Sequence, residues 1–429
     1  MRCGFYQTDI TPPLGSVIPG DFGARYNTTI LDPLYARAVV YESDGKTVGI
    51  VTVDACGIYK DITDRIRERT AQFIPLDPGA LMVTATHCHG GGPTLNWGEE
   101  VCRDENYLSF LVTRAADAVV GAYQRLRGCT LRYGESELRG FSFIRIYRMK
   151  DGSFKTNPGI GNPDIDAPVS QIDPGVRVLA AFDGERPYGA LVNFTCHPAI
   201  VADTRTSADY IGAMSRRLRE LYGEDFTAVF LNGACGNINH VNPFDPSSVR
   251  KGIHIALGTA LAERVYTAVS ASSEVDGVVR YAEKTIPGRL RKPSAAYLLE
   301  KKALFDALGD GLEASKPGTP GYIETFFAWQ AFGQQRDKRT VLPLYLQMVE
   351  VAGVKVFGFP CQIFVEFGDA CRENAGGHAM VSAFANDYCG YVPTAECMRP
   401  SVYEARLAET SRLVPETGDE LVAAMRELM

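Results

Sequence analysis

Two histidines separated by one residue are the first positions in this chain whose type and spacing could do chemistry. Residues 81–86 form an apolar, β-branched run that ends at His87-Cys88-His89 and then at three glycines. This pattern predicts a buried strand that carries both imidazoles to a sheet edge. Side chains two apart on a strand point the same way, so His87 and His89 could be two metal ligands, or one ligand and one acid–base group. Such a pair also occurs as ordinary hydrogen-bonded strand residues, so the rest of the chain must decide.

Other polar residues also follow predicted strands. Strand ends or the residues just after them carry Asp54, His87, His197, Asn232 and Gln362. In open α/β sheets ligands bind beyond the carboxyl ends of the strands, so this placement is typical of a binding site. Three histidines at strand ends favour zinc, which prefers imidazole and needs one open position for catalysis. Asp54 could orient an imidazole or cap a turn.

The elements that must position these residues alternate between strands and helices. Asp-Gly turns predict hairpins over 36–54 and 176–196, with the first strand of the chain near 36–42 and an irregular Pro-rich opening before it. Periodicity predicts helices over 61–73, 106–126, 209–222, 249–271, 294–315, 324–338, from 364, and over 417–428. We therefore expect an α/β fold with mixed β-sheets flanked by helices and a metal site at the C-terminal ends of strands. With no linker or repeat evident, residues 1–429 are predicted to form a single domain.

Composition excludes several function classes. The chain has 429 residues, of which 22% are charged, and a net charge of −7, which argues against a nucleic-acid-binding surface. No apolar run is long enough to predict a membrane span, and the N-terminus has no signal-peptide core, so a cytoplasmic protein acting on a small molecule is expected. The 11 scattered cysteines are expected to be buried thiols. Oligomeric state is not indicated.

Several motifs together resemble the catalytic domain of the neutral (non-lysosomal) ceramidase family. They occur in the family's order along nearly the whole chain: Thr86-His87-Cys88-His89-Gly90-Gly91, His197, the loop 232–237, the loop 388–394, and Tyr403-Glu404. The opening residues 9–15 resemble the family's bacterial relatives. The resemblance implies a zinc-dependent amidase in an α/β domain.

Matching positions imply roles for individual residues. By resemblance His87, His197 and Tyr391 are zinc ligands, and His89, Arg145 and Tyr403 line the catalytic site. The family's glutamate ligand is replaced here by Gln362, which offers a carbonyl oxygen but no negative charge. Glu366, one helical turn further, could substitute for it or could be an ordinary helix-face residue.

The mechanism implied by the resemblance is attack of a metal-bound hydroxide on an amide carbonyl. His89 would move a proton, Tyr403 and the amides of Gly90–Gly92 would donate to the developing oxyanion, and Arg145 would hold a substrate oxygen or carboxylate. The family's C-terminal immunoglobulin-like domain is not evident, so the expected substrate is a small soluble amide rather than membrane ceramide. Two alternatives are a metal-dependent esterase or lactonase acting on a sugar acid, and a non-catalytic ligand-binding relative that lost its metal.

Overall fold

The computed structural model describes residues 1–96, 101–307 and 321–429. Three large mixed sheets dominate it. In spatial order, the first sheet contains Leu81–Ala85, Lys46–Val53, Tyr35–Ser43, Arg2–Asp9 and Arg127–Gly128. The second contains Thr227–Asn232, Arg186–Phe194, Gly175–Asp183, Thr130–Glu137 and Ser273–Val275. The third contains Val279–Arg289, Val341–Val351, Val354–Gly358 and Ala379–Ser382.

Helices connect and cover these sheets. The described α-helices are Lys60–Ala71, Glu105–Gln124, Asp209–Tyr222, Ile253–Ser270, Ala295–Ala307, Tyr322–Arg336, Val365–Glu373 and Thr417–Arg426. The predicted α/β class with mixed sheets flanked by helices is confirmed. The predicted helix 294–315 is present to residue 307, and residues 308–315 lie outside the described part of the chain. Within the described residues no helix combines the length and apolarity needed to cross a membrane.

Shorter strand pairs link the large sheets. They are Val17–Ile18 with Arg25–Tyr26, Thr29–Ile30 with Arg205–Thr206, Phe143–Ile144 with Ile238–Asn239, Ile146–Met149 between Phe154–Thr156 and Ile165–Pro168, and Gln362–Ile363 with Tyr391–Val392. The last pair is parallel and aligns Gln362 with Tyr391. Residues of two parallel neighbouring strands at the same register point to the same face, so these two side chains share one side of the pair.

The same local architecture occurs in each large sheet. An antiparallel hairpin is followed by a helix and then by a strand that pairs in parallel with the second hairpin strand. We call these the first, second and third units, formed by residues 35–85, 175–232 and 341–382. The expectation that the chain has no repeat was wrong at the level of backbone topology, because the units share their connections while their side chains differ.

The three parallel strands end close together. The side-chain Nδ2 of Asn232 donates to the carbonyl oxygen of Thr86 at 3.1 Å, and the main-chain carbonyl oxygen of Asn232 accepts from the amide of Ala383 at 2.9 Å. Further back, the hydroxyls of Thr84 and Ser382 are 2.9 Å apart. All five residues of Leu81–Ala85 are buried, which a strand enclosed on both faces requires. The carboxyl ends of strands from all three units therefore meet at one place, as the sequence predicted.

The prediction that the chain's first strand lies near 36–42 was wrong. Arg2–Asp9 is an eight-residue strand inside the first sheet, and it pairs along its whole length with Tyr35–Ser43. Its residues include polar and small side chains with no clear alternation, and Pro12 and Pro13 follow it closely. Local pattern therefore indicated irregular backbone, whereas a partner strand that arrives more than 20 residues later determines the structure.

Candidate metal site and its cleft

His87 lies two residues beyond its strand in a conformation that few non-glycine residues adopt. Its φ is +69°, and its amide donates to the carbonyl oxygen of Ala55 at 2.9 Å. The imidazole is stacked on Phe384, with ring centroids 4.0 Å apart and planes 11° apart. Nδ1 hydrogen-bonds to the main-chain carbonyl oxygen of Cys56. Since a carbonyl can only accept, Nδ1 carries the hydrogen and Nε2 of neutral His87 has a free lone pair.

His89 and His197 bring their Nε2 atoms to the same place. Nε2 of His197 lies 3.2 Å from Nε2 of His87 and 3.1 Å from Nε2 of His89. A single hydrogen on the His197 nitrogen could bridge only one of these contacts. At least one of the two contacts therefore has no hydrogen between its nitrogens, which is the arrangement expected where two neutral imidazoles bind one cation.

A proton is a poor candidate for that cation. Burial lowers the pKa of His87 to about 3, and it holds the pKa values of His89 and His197 well below their usual range. The guanidinium of Arg145 lowers all three further. The three rings are consequently neutral at physiological pH, and a neutral imidazole is the form that binds a metal.

Close main-chain approaches hold these rings in place. Gly20 has a φ of +103°, and a Cβ there would lie 2.8 Å from Nδ1 of His89. Gly90 lies close to the main chain of Ser207, and a Cβ on Gly90 would lie 2.7 Å from both the main-chain nitrogen and the main-chain oxygen of Ser207. Glycine is required at both positions because no side chain fits.

Gln362 contributes an oxygen atom beside the imidazoles. Its Nε2 donates to the hydroxyl oxygen of Tyr388 at 2.5 Å, and its side chain lies against His87, where it raises the pKa of that ring slightly against burial. Its buried Oε1 has no well-formed hydrogen bond. Tyr391, aligned with Gln362 across the parallel pair, is also buried. Two oxygen-bearing side chains therefore accompany the two histidines that the resemblance assigns as ligands.

Arg145 is buried and paired rather than free. Its Nε lies 2.6 Å from Oε1 of Glu404, and its Nη2 donates to the carbonyl oxygen of Gly236 at 2.6 Å. Burial alone would lower the pKa of the guanidinium, but the Glu404 carboxylate raises it above the usual value. The guanidinium carbon lies 5.3 Å from the ring centre of Tyr391, and the rings of Tyr391 and Tyr403 are 5.8 Å apart. Arg145 and both tyrosines thus form one wall next to the histidines.

The donor atoms fit a divalent metal ion. An unsatisfied buried acceptor beside neutral imidazoles is costly unless a cation binds it, and Oε1 of Gln362 is such an acceptor. Nδ1 of His197 points away from the other two rings, toward the main chain of Cys235. His197 Nδ1 would carry the hydrogen when Nε2 binds a metal. The nitrogen and oxygen donors of His87, His197, Gln362 and Tyr391 suit zinc.

A second potential donor set overlaps the first. Ligand atoms of Cys56, His87 and His89 all lie within 4.8 Å of one another. Burial raises the pKa of the Cys56 thiol to about 12, so a thiolate is disfavoured there, and the Nδ1 atom of His87 that faces this thiol is already bonded to a carbonyl. We therefore favour the set that uses the Nε2 atoms.

Other candidates from the sequence have different partners. The carboxylate of Glu366 accepts a hydrogen bond from Nδ2 of Asn237 at 3.0 Å. Asp54 accepts from the amide of Tyr35 at 2.9 Å and pairs with Arg37 at 2.7 Å. Both partners of Asp54 belong to the strand Tyr35–Ser43, and neither is an imidazole or a residue of its own turn. Of the two oxygen donors considered at the metal, Gln362 is the one beside an imidazole.

A cleft of about 1170 Å³ adjoins this site through Arg145 and Tyr403, which line it together with Phe22 and Asn157, whereas the three histidines, Gln362 and Tyr391 are not part of its lining. We call the end of the cleft at Arg145 and Tyr403 its inner end. A cleft of this volume accommodates a small molecule. The structure brings together the predicted residues His87, His89, Arg145, His197, Gln362, Tyr391 and Tyr403.

Sequence reasoning missed three residues that shape the site. Phe384 stacks on His87, Tyr388 hydrogen-bonds Gln362, and the carbonyl of Cys56 fixes the His87 ring. Each acts on a neighbour distant in the chain. Tyr388 belonged to a recognised loop, but no spacing rule indicated its contact with Gln362.

Comparison with solved structures places this chain in a known fold, that of the neutral ceramidases. The neutral ceramidase from Pseudomonas aeruginosa matches 100% of this chain and 73% of its own, with a TM-score of 0.74 at 22% sequence identity. A ceramidase complexed with C2 matches 100% of this chain and 74% of its own, with a TM-score of 0.73 at 20% identity. No family model matches the chain, and no curated protein matches its sequence. The resemblance inferred from the motifs is confirmed at the level of fold.

Proposed function

We propose that the protein is a zinc-dependent hydrolase that cleaves a small soluble amide. The observation that carries this proposal is the convergence of the Nε2 atoms of His87, His89 and His197, at 3.1 and 3.2 Å, near Arg145, which lines the cleft. The ceramidase fold supports the choice of an amide bond, because the ceramidases are named for an amide-containing lipid. Cytoplasmic location and a small-molecule partner stay predictions.

The proposed metal ligands are His87, His197, Gln362 and Tyr391. Zinc bound there would supply Lewis-acid polarisation of the carbonyl and would lower the pKa of bound water. Burial raises the pKa of Tyr391 to about 12, with Arg145 opposing that rise, so the phenol stays protonated without a metal beside it. Binding of a metal by the Tyr391 oxygen as a phenolate would therefore release the proton of the phenol.

The remaining residues handle protons and the developing charge. In amide hydrolysis the oxygen of water bonds to the carbonyl carbon, the C–N bond breaks, and the departing amine nitrogen gains a proton. His89 is neutral because burial depresses its pKa, so one ring nitrogen can accept a proton from water and return it to the nitrogen. Burial keeps the pKa of Tyr403 well above its usual value, so its hydroxyl can donate to the carbonyl oxygen as negative charge develops.

Arg145 is best assigned a positioning role. Its charge is balanced by Glu404 at 2.6 Å, and its guanidinium borders the ring of Tyr391. The pair orients a proposed ligand and keeps positive potential near the carbonyl oxygen without leaving an uncompensated buried charge. This assignment differs from the expected contact with a substrate carboxylate.

The test combines metal analysis with a substrate panel. Protein purified without an affinity tag should contain about one zinc per chain, and it should hydrolyse short N-acyl anilides faster than ceramide. His87→Ala should lose both zinc and turnover, the latter by at least about a thousandfold. His378→Ala, which removes an exposed histidine stacked on Tyr133, should change neither.

Three results would contradict the proposal. Absence of zinc after addition of excess metal would favour a non-catalytic binding protein. Turnover of esters or lactones without turnover of amides would favour the esterase alternative. Near-wild-type amide hydrolysis by His87→Ala would remove this site from the mechanism.

A further inference from the structure

The cleft is strongly basic although the whole chain has a net charge of −7. Its described lining contains seven cationic side chains, namely Arg145, Lys155, Arg291, Lys292, Lys301, Arg399 and Arg406, against the two acidic side chains of Glu300 and Glu324. A cluster of one sign inside a concave, partly desolvated surface focuses the field and attracts ligands of opposite charge. A neutral lipid amide gives no reason for such a lining.

Three of these cations are neutralised by carboxylates. Arg145 pairs with Glu404, and Arg406 binds both oxygens of Glu324 at 2.8 and 2.9 Å. Lys301 lies 3.0 Å from an oxygen of Glu300. These charges are unavailable to a ligand unless it displaces the protein's own acid.

The other four form no ion pair within the described residues. Arg291 and Lys292 donate to main-chain carbonyl oxygens, at 2.7 to 2.8 Å in their shortest contacts. The pKa of Asp337 is lowered mainly by hydrogen bonds from Arg339 and further by the charge of Lys292, so this carboxylate partly offsets Lys292. Arg399 donates to the carbonyl oxygen of Glu396 at 3.0 Å, and its guanidinium carbon lies 3.9 Å from the ring centre of Phe154. Lys155 is exposed at the cleft surface. Carbonyl groups hold the positions of Arg291 and Arg399 without cancelling their charge.

Lys155 and Arg399 both line this cleft and are both exposed. Arg399 covers the ring of Phe154, and Lys155 is the next residue of the same strand, with its side chain on the opposite face from that ring. The strand of Lys155 ends at Thr156, and the next residue, Asn157, donates its amide to the carbonyl oxygen of Arg145 at 2.7 Å. Lys155 is therefore two residues along the chain from a main-chain contact with Arg145, which also lines the cleft.

We propose that this cleft selects amides bearing an anionic group, a carboxylate in the first instance, which Lys155 and Arg399 bind while the amide carbonyl reaches the histidines. The inference rests on the proposed hydrolase function for the position of the scissile bond, but the anion site itself follows from the unpaired charges. The proposed substrate class is therefore an acidic N-acyl compound rather than a neutral lipid with two hydrocarbon chains. Arg291 and Lys292 extend the positive field along the same cleft.

Two probes that differ only in charge test this inference. Suberic acid mono-p-nitroanilide carries a free carboxylate, and its methyl ester has the same chain with no charge. Each is used both as a substrate, followed by release of nitroaniline, and as a ligand, followed by titration calorimetry. The wild-type protein should bind the acid about tenfold more tightly than the ester, since hydrogen bonds to charged groups are the stronger ones.

Lys155→Gln and Arg399→Gln should each weaken binding of the acid by about tenfold and leave binding of the ester unchanged. Lys150→Gln is the matched control, because Lys150 is an exposed lysine on the turn of the same hairpin and does not line the cleft. It should affect neither probe. Raised salt should reproduce the effect of the variants on the acid alone.

The two readouts separate this inference from the hydrolase proposal. Charge-dependent binding without release of nitroaniline would support the anion site and count against the hydrolase. Hydrolysis or binding of both probes to equal extents, insensitive to Lys155→Gln and Arg399→Gln, would overturn the anion site and leave the hydrolase standing. Failure of the protein to bind either probe would also overturn the anion site.

Discussion

The inner and outer ends of the cleft treat charge in opposite ways. At the inner end the imidazoles are neutral, with the pKa of His87 lowered to about 3 by burial, and Arg145 is matched by Glu404. At the outer end Lys155 and Arg399 are exposed and lack carboxylate partners among the described residues. Burial penalises each unpaired charge, whereas solvent tolerates it. This difference places the proposed hydrolysis in a buried environment and the proposed recognition of substrate charge in a solvent-exposed one.

Arg145 and Lys155 show this contrast within one hairpin. The side chain of Arg145 is 7% exposed and that of its partner Glu404 is fully buried. Lys155 lies ten residues later, on the neighbouring strand, and faces the cleft. Two cations close in sequence therefore have different tasks, and each of the following changes is designed to break or sharpen that contrast.

The largest effect is expected from removing the buried acid. Glu404→Gln should lower the free energy of unfolding by about 3 kcal/mol, because it leaves the buried Arg145 charge uncompensated. Glu324→Gln, which unpairs the exposed partner of Arg406, should cost less than about 1 kcal/mol. Urea denaturation of both variants measures the difference. Equal losses would show that the inner end tolerates charge as the outer end does.

A pH dependence should follow from the buried His87 beside the inner end, and His240, whose pKa burial lowers to about 4, should add to it in the same direction. The unfolded-state pKa of histidine is about 6.5, whereas that of folded His87 is about 3, so between these values the unfolded chain binds the proton and the folded chain does not. Stability is therefore complete above the unfolded pKa and falls as pH falls through this window. Metal-free protein should lose about 2 kcal/mol from His87 between pH 7 and pH 5.

Urea denaturation of the metal-free protein at the two pH values measures this loss. His378→Ala should retain the dependence, because that histidine is exposed. His87→Asn should reduce it. A dependence that is unchanged in His87→Asn would place the responsible protons elsewhere.

The smallest effect is expected from restoring charge at the metal. Gln362→Glu should tighten zinc binding by about tenfold, because an anionic oxygen replaces a neutral one beside His87. Competition with a chelator measures the affinity. Gln335→Glu, an exposed control in helix Tyr322–Arg336, should leave it unchanged. An unchanged affinity in Gln362→Glu would show that position 362 does not contact the metal.

Local sequence patterns predicted most of the helices and the strand ends that carry the candidate site residues. Helix Asp209–Tyr222 was predicted with its observed limits, and the ends of the strands before His87 and Asn232 meet as expected. Where the outcome depends on a distant partner, local pattern was insufficient. Strand Arg2–Asp9 is one example, and the pairing of Arg145 with Glu404, 259 positions away, is another.

The site was predicted less completely than the fold. The histidines and the substitution at Gln362 could be read from motifs, because these residues carry the resemblance. The cationic outer cleft could not, since Lys155 and Arg399, 244 positions apart, line the same cleft only in the folded chain. Charge excess of this kind is invisible in a chain whose overall charge is negative.

The joining of three hairpin–helix–strand units at the histidines also concerns folding. The contact between His87 and His197 links residues 110 positions apart. Gln362 lies in the third unit, still further along the chain. An ion held by all of them would close very long chain loops, whose ordering is entropically costly and slow to search. The ion would therefore bind tightly only late in folding, after all three units have docked. Bound metal would then indicate that the whole chain is folded.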